Sequence, residues 1–397
     1  MAESTNEVKE AIEPNTNSSD ELTALRLSEY AEPIDELTKL LSQSKRAFLL
    51  GAGCSKCAGL LDMEGLTQKV LTAIPQADRV RLILDGVISH FAKAKDCTIE
   101  DYMSELVDLI SIADRRENRG AETAKIPIGN TGYSATELRT ALAVIKQKIE
   151  NIIIGEKIKI HTHREFIRAV HGRLQSGKAV SSQPVDYFTL NYDTLIEDAL
   201  SLERIPLADG FNGGATGWWN VNAYSDPHVA AKVFKVHGSI DWCLLDDDVL
   251  PRRIRHGLKD DKESEPVLIW PAGTKYREAQ RDPFAQILNI MRQTLRPAQN
   301  SEVVLAIVGY SFGDSHINEE LDRALIECDG RLTIIVFTGA DKPDGVLQKW
   351  RMDSHLKGNV RIHAKRGFYH GDNQIESDTD LPWWRFEVLV RLLGGER

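Results

Sequence analysis

The chain has 397 residues, of which 42% are hydrophobic and 27% charged, and its formal net charge is −10. These totals are those of a soluble globular protein with one large domain or two ordinary ones, and the negative charge excludes a general attraction to nucleic acid or to an anionic membrane. No apolar run is long enough to cross a bilayer, residues 1–21 lack the features of a secretion signal, and five scattered cysteines form no disulfide framework. We therefore expect a cytoplasmic protein.

The N-terminal part contains a short apolar run that stops at glycines. Residues 1–25 are polar and acidic and are expected to form a disordered tail. A helix is predicted to begin near Pro33, and the run Ala47–Leu50 then ends at Gly51-Ala52-Gly53. This pattern is typical of a buried parallel strand that passes through a glycine turn into a helix, whose free N–H groups attract an anion such as phosphate. Taken alone, it indicates a nucleotide site or a plain tight turn equally.

A helical pattern follows the glycine turn. Thr98 with Asp101, and Ser134 with Glu137, have the spacing of capping boxes, and apolar residues at helical spacing follow each pair. We interpret residues 64–179 as a helical insertion that covers one end of a sheet.

The second half of the chain alternates apolar, β-branched runs with helical patterns. The predicted strands are Val185–Leu190, Lys232–Val236, Val267–Trp270, Val303–Val308, Leu332–Phe337 and Val360–His363, and the predicted helices are Thr194–Leu200, Pro283–Thr294 and Ile317–Glu327. Such an alternation favours an α/β fold with a Rossmann-like, doubly wound parallel sheet and a helical insertion module. Residues 26–63 and 180–365 are assigned to this domain, and residues 366–397 to a C-terminal segment for packing or oligomer contact.

Four polar segments come directly after predicted strands. They are Gly51–Ser55, Thr189–Asp193, His237–Asp241 and Gly309–His316. Ligands of doubly wound sheets bind beyond the carboxyl ends of the strands. The sequence therefore predicts that these segments meet in one cleft.

In this order, the four segments resemble the motifs of the sirtuin-like superfamily of NAD-consuming proteins. The matches are Gly51-Ala52-Gly53-x-Ser55, Thr189-x-Asn191-x-Asp193, His237-Gly238 and Gly309-Tyr310-Ser311. The sirtuin run Ser-Gly-Ile-Pro-Asp-Phe-Arg is met only in part, because Ala58–Glu64 keeps Gly59 and Asp62 and lacks the Phe-Arg pair. The form Gly-Tyr-Ser-Phe-Gly-Asp-x-His-Ile-Asn is similar to bacterial sirtuin-like proteins of antiphage defence, which deplete NAD.

The cysteine pattern differs from that of deacetylating sirtuins. Those proteins have two Cys-x-x-Cys pairs that bind zinc, whereas Cys54 and Cys57 form the single such pair in this sequence. A four-cysteine zinc site of that type cannot be built, so no metal is expected. This difference, with the missing Phe-Arg pair, favours water as the acceptor in the reaction.

The resemblance implies a role for each motif residue toward NAD as substrate. Asn191 would orient water and ribose, Asp193 would hold the nicotinamide amide, and His237 would be the base. The other implied contacts are Gly51, Ala52, Gly53 and Ser55 with the pyrophosphate, Gly309 and Ser311 with the adenosine side, and Asp62 with the nicotinamide ribose.

Each assignment has a structural alternative. Asn191 could end its strand in an Asn turn, and Asp193 could cap the helix predicted from Thr194. His237 could be a core histidine, and Ser311 and Asp314 could cap a helix that begins at Ser315.

The resulting hypothesis is an NAD⁺ hydrolase that releases nicotinamide and ADP-ribose and acts as the toxic effector of an antiphage complex. The resemblance implies a homo-oligomer and a partner such as a HerA-type DNA-translocating ATPase. The chain has no Walker A pattern, so any ATP hydrolysis would have to come from such a partner. Direct nucleic-acid binding is left open. The alternatives are an NAD-dependent deacylase or ADP-ribosyltransferase, and a non-catalytic module that senses NAD or ADP-ribose.

Overall fold

The computed structural model describes residues 21–42, 45–121, 123–172, 183–245, 248–254, 264–268 and 282–396. Residues 1–20 of the predicted tail lie outside these ranges, whereas Leu22 and Leu25, which were also assigned to that tail, are buried. The first helix starts at Ser28, ahead of Pro33, which lies inside it. None of the described helices is long and apolar enough to span a membrane.

The described residues form the following α-helices and β-strands, numbered in chain order. The helices are α1 (Ser28–Leu41), α2 (Met63–Thr72), α3 (Arg79–Val87), α4 (Ile99–Asn118), α5 (Ala135–Gly155), α6 (His161–His171), α7 (Leu195–Leu202), α8 (Phe284–Leu295), α9 (Ser315–Glu327), α10 (Gly345–Met352) and α11 (Phe386–Leu393). The strands are β1 (Arg46–Leu50), β2 (Ile126–Ile128), β3 (Thr131–Tyr133), β4 (Val185–Thr189), β5 (Leu207–Ala208), β6 (Phe211–Gly213), β7 (Gly217–Trp219), β8 (Ala231–Lys235), β9 (Gly238–Leu245), β10 (Arg252–Arg253), β11 (Ser264–Leu268), β12 (Val303–Val308), β13 (Leu332–Thr338), β14 (Val360–Ala364), β15 (Gly367–His370) and β16 (Asn373–Glu376).

The central sheet has the strand order of a Rossmann fold. Its nine strands run β16-β15-β14-β13-β12-β1-β4-β8-β5, and the strands from β14 to β5 are parallel. Six of them, β8-β4-β1-β12-β13-β14, follow the order 3-2-1-4-5-6, in which the direction of winding reverses between the first and fourth strands. The reversal therefore lies between β1 and β12, and the predicted fold class is confirmed.

Helices cover both faces of this sheet. Successive side chains of each strand point to opposite sides, so a strand that is apolar throughout has two faces to bury. In β1, Ala47 and Leu49 pack with α8, α9 and α10, whereas Phe48 and Leu50 pack with α1, α6, α7 and α11. Every residue of β1 is buried, as expected for a central strand of a doubly wound sheet.

Helices α2 to α5 and the hairpin β2–β3 form a helical module around a second hydrophobic core, to which Tyr192 and Leu195 of the sheet domain also contribute. Both predicted capping boxes, at Thr98 and Ser134, begin its two longest helices. Helix α6 falls inside the predicted insertion 64–179 but packs on the sheet through Phe166 and Ile167. The core of the helical module therefore ends before α6.

The C-terminal segment 366–397 extends the sheet and covers it. Strands β15 and β16 add an antiparallel edge beyond β14, and α11 packs against α6. Contact with another subunit stays a prediction.

One predicted strand, Val267–Trp270, belongs to a different sheet. Strand β11 pairs antiparallel with β9 in a second sheet of order β11-β9-β10-β7-β6, and residues 269 and 270 lie outside the described ranges. A short apolar run reveals burial and does not reveal its pairing partner, which is why the parallel assignment was wrong.

His363 on β14 gives a testable pH dependence. It is buried among the rings of Phe337, Phe368 and Trp383, and this burial lowers its pKa to about 3. Below about pH 6.5 the unfolded chain binds a proton at this residue and the folded chain does not, so acid costs the folded state about 1.4 kcal/mol per pH unit.

We expect His363→Leu, which cannot titrate, to remove this contribution. Urea unfolding at several pH values should give parallel curves of unfolding free energy for the two proteins above pH 7, which diverge in favour of the variant down to about pH 4. A constant difference between the proteins across this range would contradict the assignment.

Candidate functional site

The carboxyl ends of four adjacent strands lie in one row. Leu50, the last residue of β1, is in register with Val308 of β12 on one side and Thr189 of β4 on the other, and Thr189 is in register with Lys235 of β8. Each of these strands is followed directly by one of the four polar segments predicted from the sequence. The four segments therefore meet at the edge where the winding of the sheet reverses.

The first and fourth segments touch through glycines. The Gly51 N–H donates to the Val308 carbonyl and the Gly53 N–H donates to the Gly309 carbonyl, both at 2.9 Å. A Cβ atom on Gly51 would lie 2.4 Å from the Gly309 oxygen, and one on Gly53 would lie 2.7 Å from the Gly309 Cα. Contact between these two turns, and not only access for a ligand, thus requires glycine here.

The glycine turn after β1 does not lead directly into the α-helix that the sequence predicts. A 3₁₀-helix, Ala52–Ala58, follows Gly51, and Ala52 is exposed at its start. The next α-helix begins only at Met63 and is capped by Asp62, which accepts the Gly65 N–H at 2.9 Å. This bond and the ion pair with Lys56 lower the pKa of Asp62. Asp62 thus has a capping role, and its contact with the ribose stays a prediction.

The two cysteines of the turn are packed as thiols. Cys54 donates to the Val308 carbonyl at 3.3 Å and Cys57 to the Cys54 carbonyl at 3.3 Å. Burial raises the pKa of both thiols, that of Cys57 to about 11. Within the described ranges, no group of three or more His, Cys, Asp and Glu side chains is arranged to hold a metal ion.

A chain of hydrogen bonds connects the first and second segments. The Ser55 hydroxyl donates to Asp193 Oδ2 at 2.7 Å and accepts from Asn191 Nδ2 at 2.9 Å, and the same Nδ2 donates to the Gly51 carbonyl at 3.1 Å. Asp193 Oδ1 accepts the Leu195 N–H at 3.1 Å in an Asx turn directly before α7, whose N-cap residue is Thr194. Asn191 is therefore fixed by its amide nitrogen, while its Oδ1 is buried and has no hydrogen-bond partner.

A buried lysine is hydrogen-bonded to the backbone of Asp193, next to this chain of hydrogen bonds. Lys235 is 1% exposed, its Nζ donates to the Asp193 carbonyl, and it lies 3.7 Å from Glu197 Oε1. Burial raises the pKa of Glu197 to about 7, against the opposing effect of Lys235. Sequence reasoning missed Lys235, although a lysine at the end of an apolar strand was the available signal.

The third and fourth segments are joined by a buried pair. His237 Nε2 lies 3.1 Å from Asp314 Oδ2, and the two side chains are 6% and 4% exposed. Asp314 Oδ1 also accepts the His316 N–H at 3.0 Å at the start of α9, so the predicted capping role is present together with a second contact that the sequence did not reveal.

The remaining predicted residues, Gly309 and Ser311, belong to the turn that follows β12. Ser311 is exposed between Tyr310, which is buried, and Phe312, whose φ of 59° is unusual for a residue with a side chain. Gly309 takes a φ of 66° next to the first turn. The structure thus brings the predicted glycines, Asn191 and Asp193 together and places His237 in the turn that follows the neighbouring strand β8.

Comparisons with known proteins give a family match in this part of the chain. A family model described as a SIR2-like domain matches residues 185–357. Two solved structures of mutants of a Sir2 homologue, each in complex with ADP-ribose, cover 91% of this chain and 96% of their own, at 14% sequence identity and a TM-score of 0.39. A superposition this loose does not transfer residue roles.

Comparison with curated proteins found no significant match. The family match includes Asn191, Asp193 and His237, and it begins after the glycine turn at Gly51. The chain therefore contains a segment similar to the SIR2-like domain, which extends from the first residue of β4 to beyond the end of α10.

Proposed function

We propose that this protein hydrolyses NAD⁺ to nicotinamide and ADP-ribose. The observation that carries the proposal is the position of Asn191 and His237, each two residues beyond the register pair Thr189–Lys235 on adjacent parallel strands. Both lie at the edge where doubly wound sheets bind dinucleotides, next to the glycine contact between β1 and β12. The match of this segment to the SIR2-like domain supports the same assignment.

The proposed reaction needs groups that these residues supply. Departure of nicotinamide builds positive charge on the ribose, as in other glycoside cleavage, and water must then lose a proton. His237 would accept that proton, because an imidazole is a base near neutral pH. The fixed amide of Asn191 would orient the water and the ribose through its oxygen.

The lack of a hydrogen-bond partner at Asn191 Oδ1 is an argument that a ligand binds next to this atom. Buried polar atoms normally have a hydrogen-bond partner, and one without a partner calls for an explanation, such as a ligand or water that binds there. The neighbouring amide nitrogen already donates to Gly51 and Ser55, so the amide cannot rotate without losing both bonds. A hydroxyl or water donor from the substrate would satisfy Oδ1.

The observed hydrogen bonds lead us to revise two of the contacts that the motif resemblance implied, those of Ser55 and Asp193. Ser55 has one hydroxyl proton, which it donates to Asp193, so we assign Ser55 to the positioning of Asn191 and not to the pyrophosphate. Asp193 accepts hydrogen bonds from the Ser55 hydroxyl and from the Leu195 N–H, and a contact with the nicotinamide amide would use a remaining lone pair. The pyrophosphate would then lie against the exposed start of the first turn, at Ala52 and Gly53.

The identity of the products separates this proposal from its alternatives. Purified protein incubated with NAD⁺ should release free nicotinamide and ADP-ribose in equal amounts, resolved by chromatography. O-acyl-ADP-ribose formed from an acylated peptide would indicate a deacylase, and label on protein an ADP-ribosyltransferase. Calorimetric binding of NAD⁺ with no product formed would indicate a sensing module.

We expect Asn191→Ala to lower kcat for NAD⁺ cleavage by about 10²- to 10³-fold, the usual cost of removing one fixed polar group that orients a reaction. Asn118→Ala, at the exposed end of α4, is the matched control and should leave kcat unchanged. Equal activity of the Asn191 variant and the wild type would overturn the proposed role.

The cellular setting is proposed from the motif resemblance. An NAD⁺ hydrolase must be held inactive in a growing cell, and we propose control by self-association or by a HerA-type ATPase in an antiphage complex. Size-exclusion chromatography with light scattering tests the first, and co-purification with the ATPase tests the second. A monomer whose rate of NAD⁺ turnover is the same with and without the ATPase would contradict this cellular setting. It would leave the proposed reaction unaffected.

A further inference from the structure

We propose that Asp314 is the positioning residue of His237, holding its imidazole in one orientation and one tautomer. This inference rests on the proposed function, in which His237 is the base. The two side chains meet across 77 residues of sequence, at 3.1 Å and in a buried environment. In such surroundings a hydrogen bond between a carboxylate and an imidazole is stronger than at the surface.

Asp314 is itself held at several points. Its Oδ1 accepts the His316 N–H at 3.0 Å, its backbone N–H donates to the Tyr310 hydroxyl at 3.2 Å, and its carbonyl accepts from that hydroxyl at 3.0 Å. The Tyr310 hydroxyl also lies 3.0 Å from Asn318 Oδ1. The carboxylate therefore has a fixed place from which Oδ2 can direct the histidine ring.

The direction of the hydrogen bond follows from the chemistry of the partners. An ionised carboxylate has no proton and can only accept, so Nε2 of His237 must carry the hydrogen. In the neutral ring the other nitrogen is then the basic one. Asp314 thus selects the nitrogen at which the ring takes up a proton, and its negative charge favours the imidazolium that forms.

The substitution Asp314→Asn separates this role from the capping role. Asparagine and aspartate are about equally good helix caps, so the amide oxygen of the new side chain can still accept the His316 N–H at the start of α9. The amide NH₂ group then faces Nε2 of His237. Because an NH₂ group can only donate, Nε2 must lose its hydrogen, and the neutral tautomer of the ring must reverse.

The experiment combines kinetics with NMR. We expect Asp314→Asn to lower kcat at least ~10²-fold, while KM for NAD⁺ changes less than about threefold, because the base and not the binding surface is altered. The matched control is Asp78→Asn, which makes the same change at the cap of α3 and should leave both constants unchanged.

The tautomer is read from ¹⁵N shifts of labelled histidine, with the His237 signal assigned by its loss in His237→Gln. We expect the hydrogen on Nε2 in the wild type and on Nδ1 in Asp314→Asn. The same tautomer in both proteins, or unchanged kcat in the variant, would overturn the role of Asp314. If the wild type does not cleave NAD⁺, the proposed function fails, and the NMR comparison still decides whether Asp314 sets the tautomer.

Discussion

We expect His237→Gln to lower kcat for NAD⁺ cleavage by about 10²- to 10⁴-fold, the usual contribution of a positioned base. Glutamine is chosen because its amide can still donate to Asp314 Oδ2, which is buried and loses its histidine donor in any variant. His237→Ala would leave that carboxylate without this donor and would add an instability of about 1–3 kcal/mol, which could be mistaken for a catalytic loss.

The control for this prediction is His228→Gln, at an exposed position before β8. Its kcat and its urea unfolding curve should match those of the wild type. A His237 variant that is folded by the same criterion and still turns over NAD⁺ at the wild-type rate would exclude His237 as the base, even if the protein cleaves NAD⁺.

Gly309→Ala is expected to destabilise the fold by about 3 kcal/mol or more, because overpacking and left-handed strain each cost about 1–3 kcal/mol. A Cβ atom at Gly309 would lie 2.5 Å from the Cys54 nitrogen and 2.9 Å from the Gly53 carbonyl carbon, and the backbone φ of 66° is strained for alanine. The third obstructing atom is Cys54 Sγ at 2.9 Å, and the two backbone atoms belong to a turn that is hydrogen-bonded to Val308 and Gly309 through Gly51 and Gly53.

Urea unfolding measures this effect, with Gly155→Ala at the end of α5 as the matched control. Gly155 has no atom within 4 Å of an added Cβ, so its variant should be as stable as the wild type or slightly more so. If Gly309→Ala were fully stable and only inactive, the glycine would serve the contact with adenosine that the motif resemblance implies, and not contact between the turns.

Much of the fold could be predicted from local patterns. The strand Val303–Val308 has the predicted bounds, and both capping boxes begin helices. These features depend on residues that are close together in the chain, so their physical causes are visible in the sequence. The antiparallel place of β11 was not visible, because burial alone does not specify a partner strand.

The candidate site, like the fold, could be predicted from the sequence only in part. The motif resemblance identified Asn191, Asp193, His237 and the glycines, since their residue types and spacing are distinctive. It did not reveal that Ser55 donates its hydroxyl proton to Asp193, or that Asp314 faces His237. Those contacts join residues 138 and 77 positions apart, and nothing in either neighbourhood indicates the other partner.

The sequence by itself determined the main parallel strands, the two helices with capping boxes and the polar residues that follow the strands, because hydrophobic periodicity and capping are local. Only the tertiary structure decided that β1 lies between β12 and β4, which aligns four strand ends in one row. Because of that alignment, the glycines of the first turn contact the backbone after β12, and the Asn191 amide is held by Gly51 and Ser55. His237 lies next to the Asp314 carboxylate. Hydrogen bonds and steric contacts act over a few ångströms, so their partners are known only when the folded chain places them side by side.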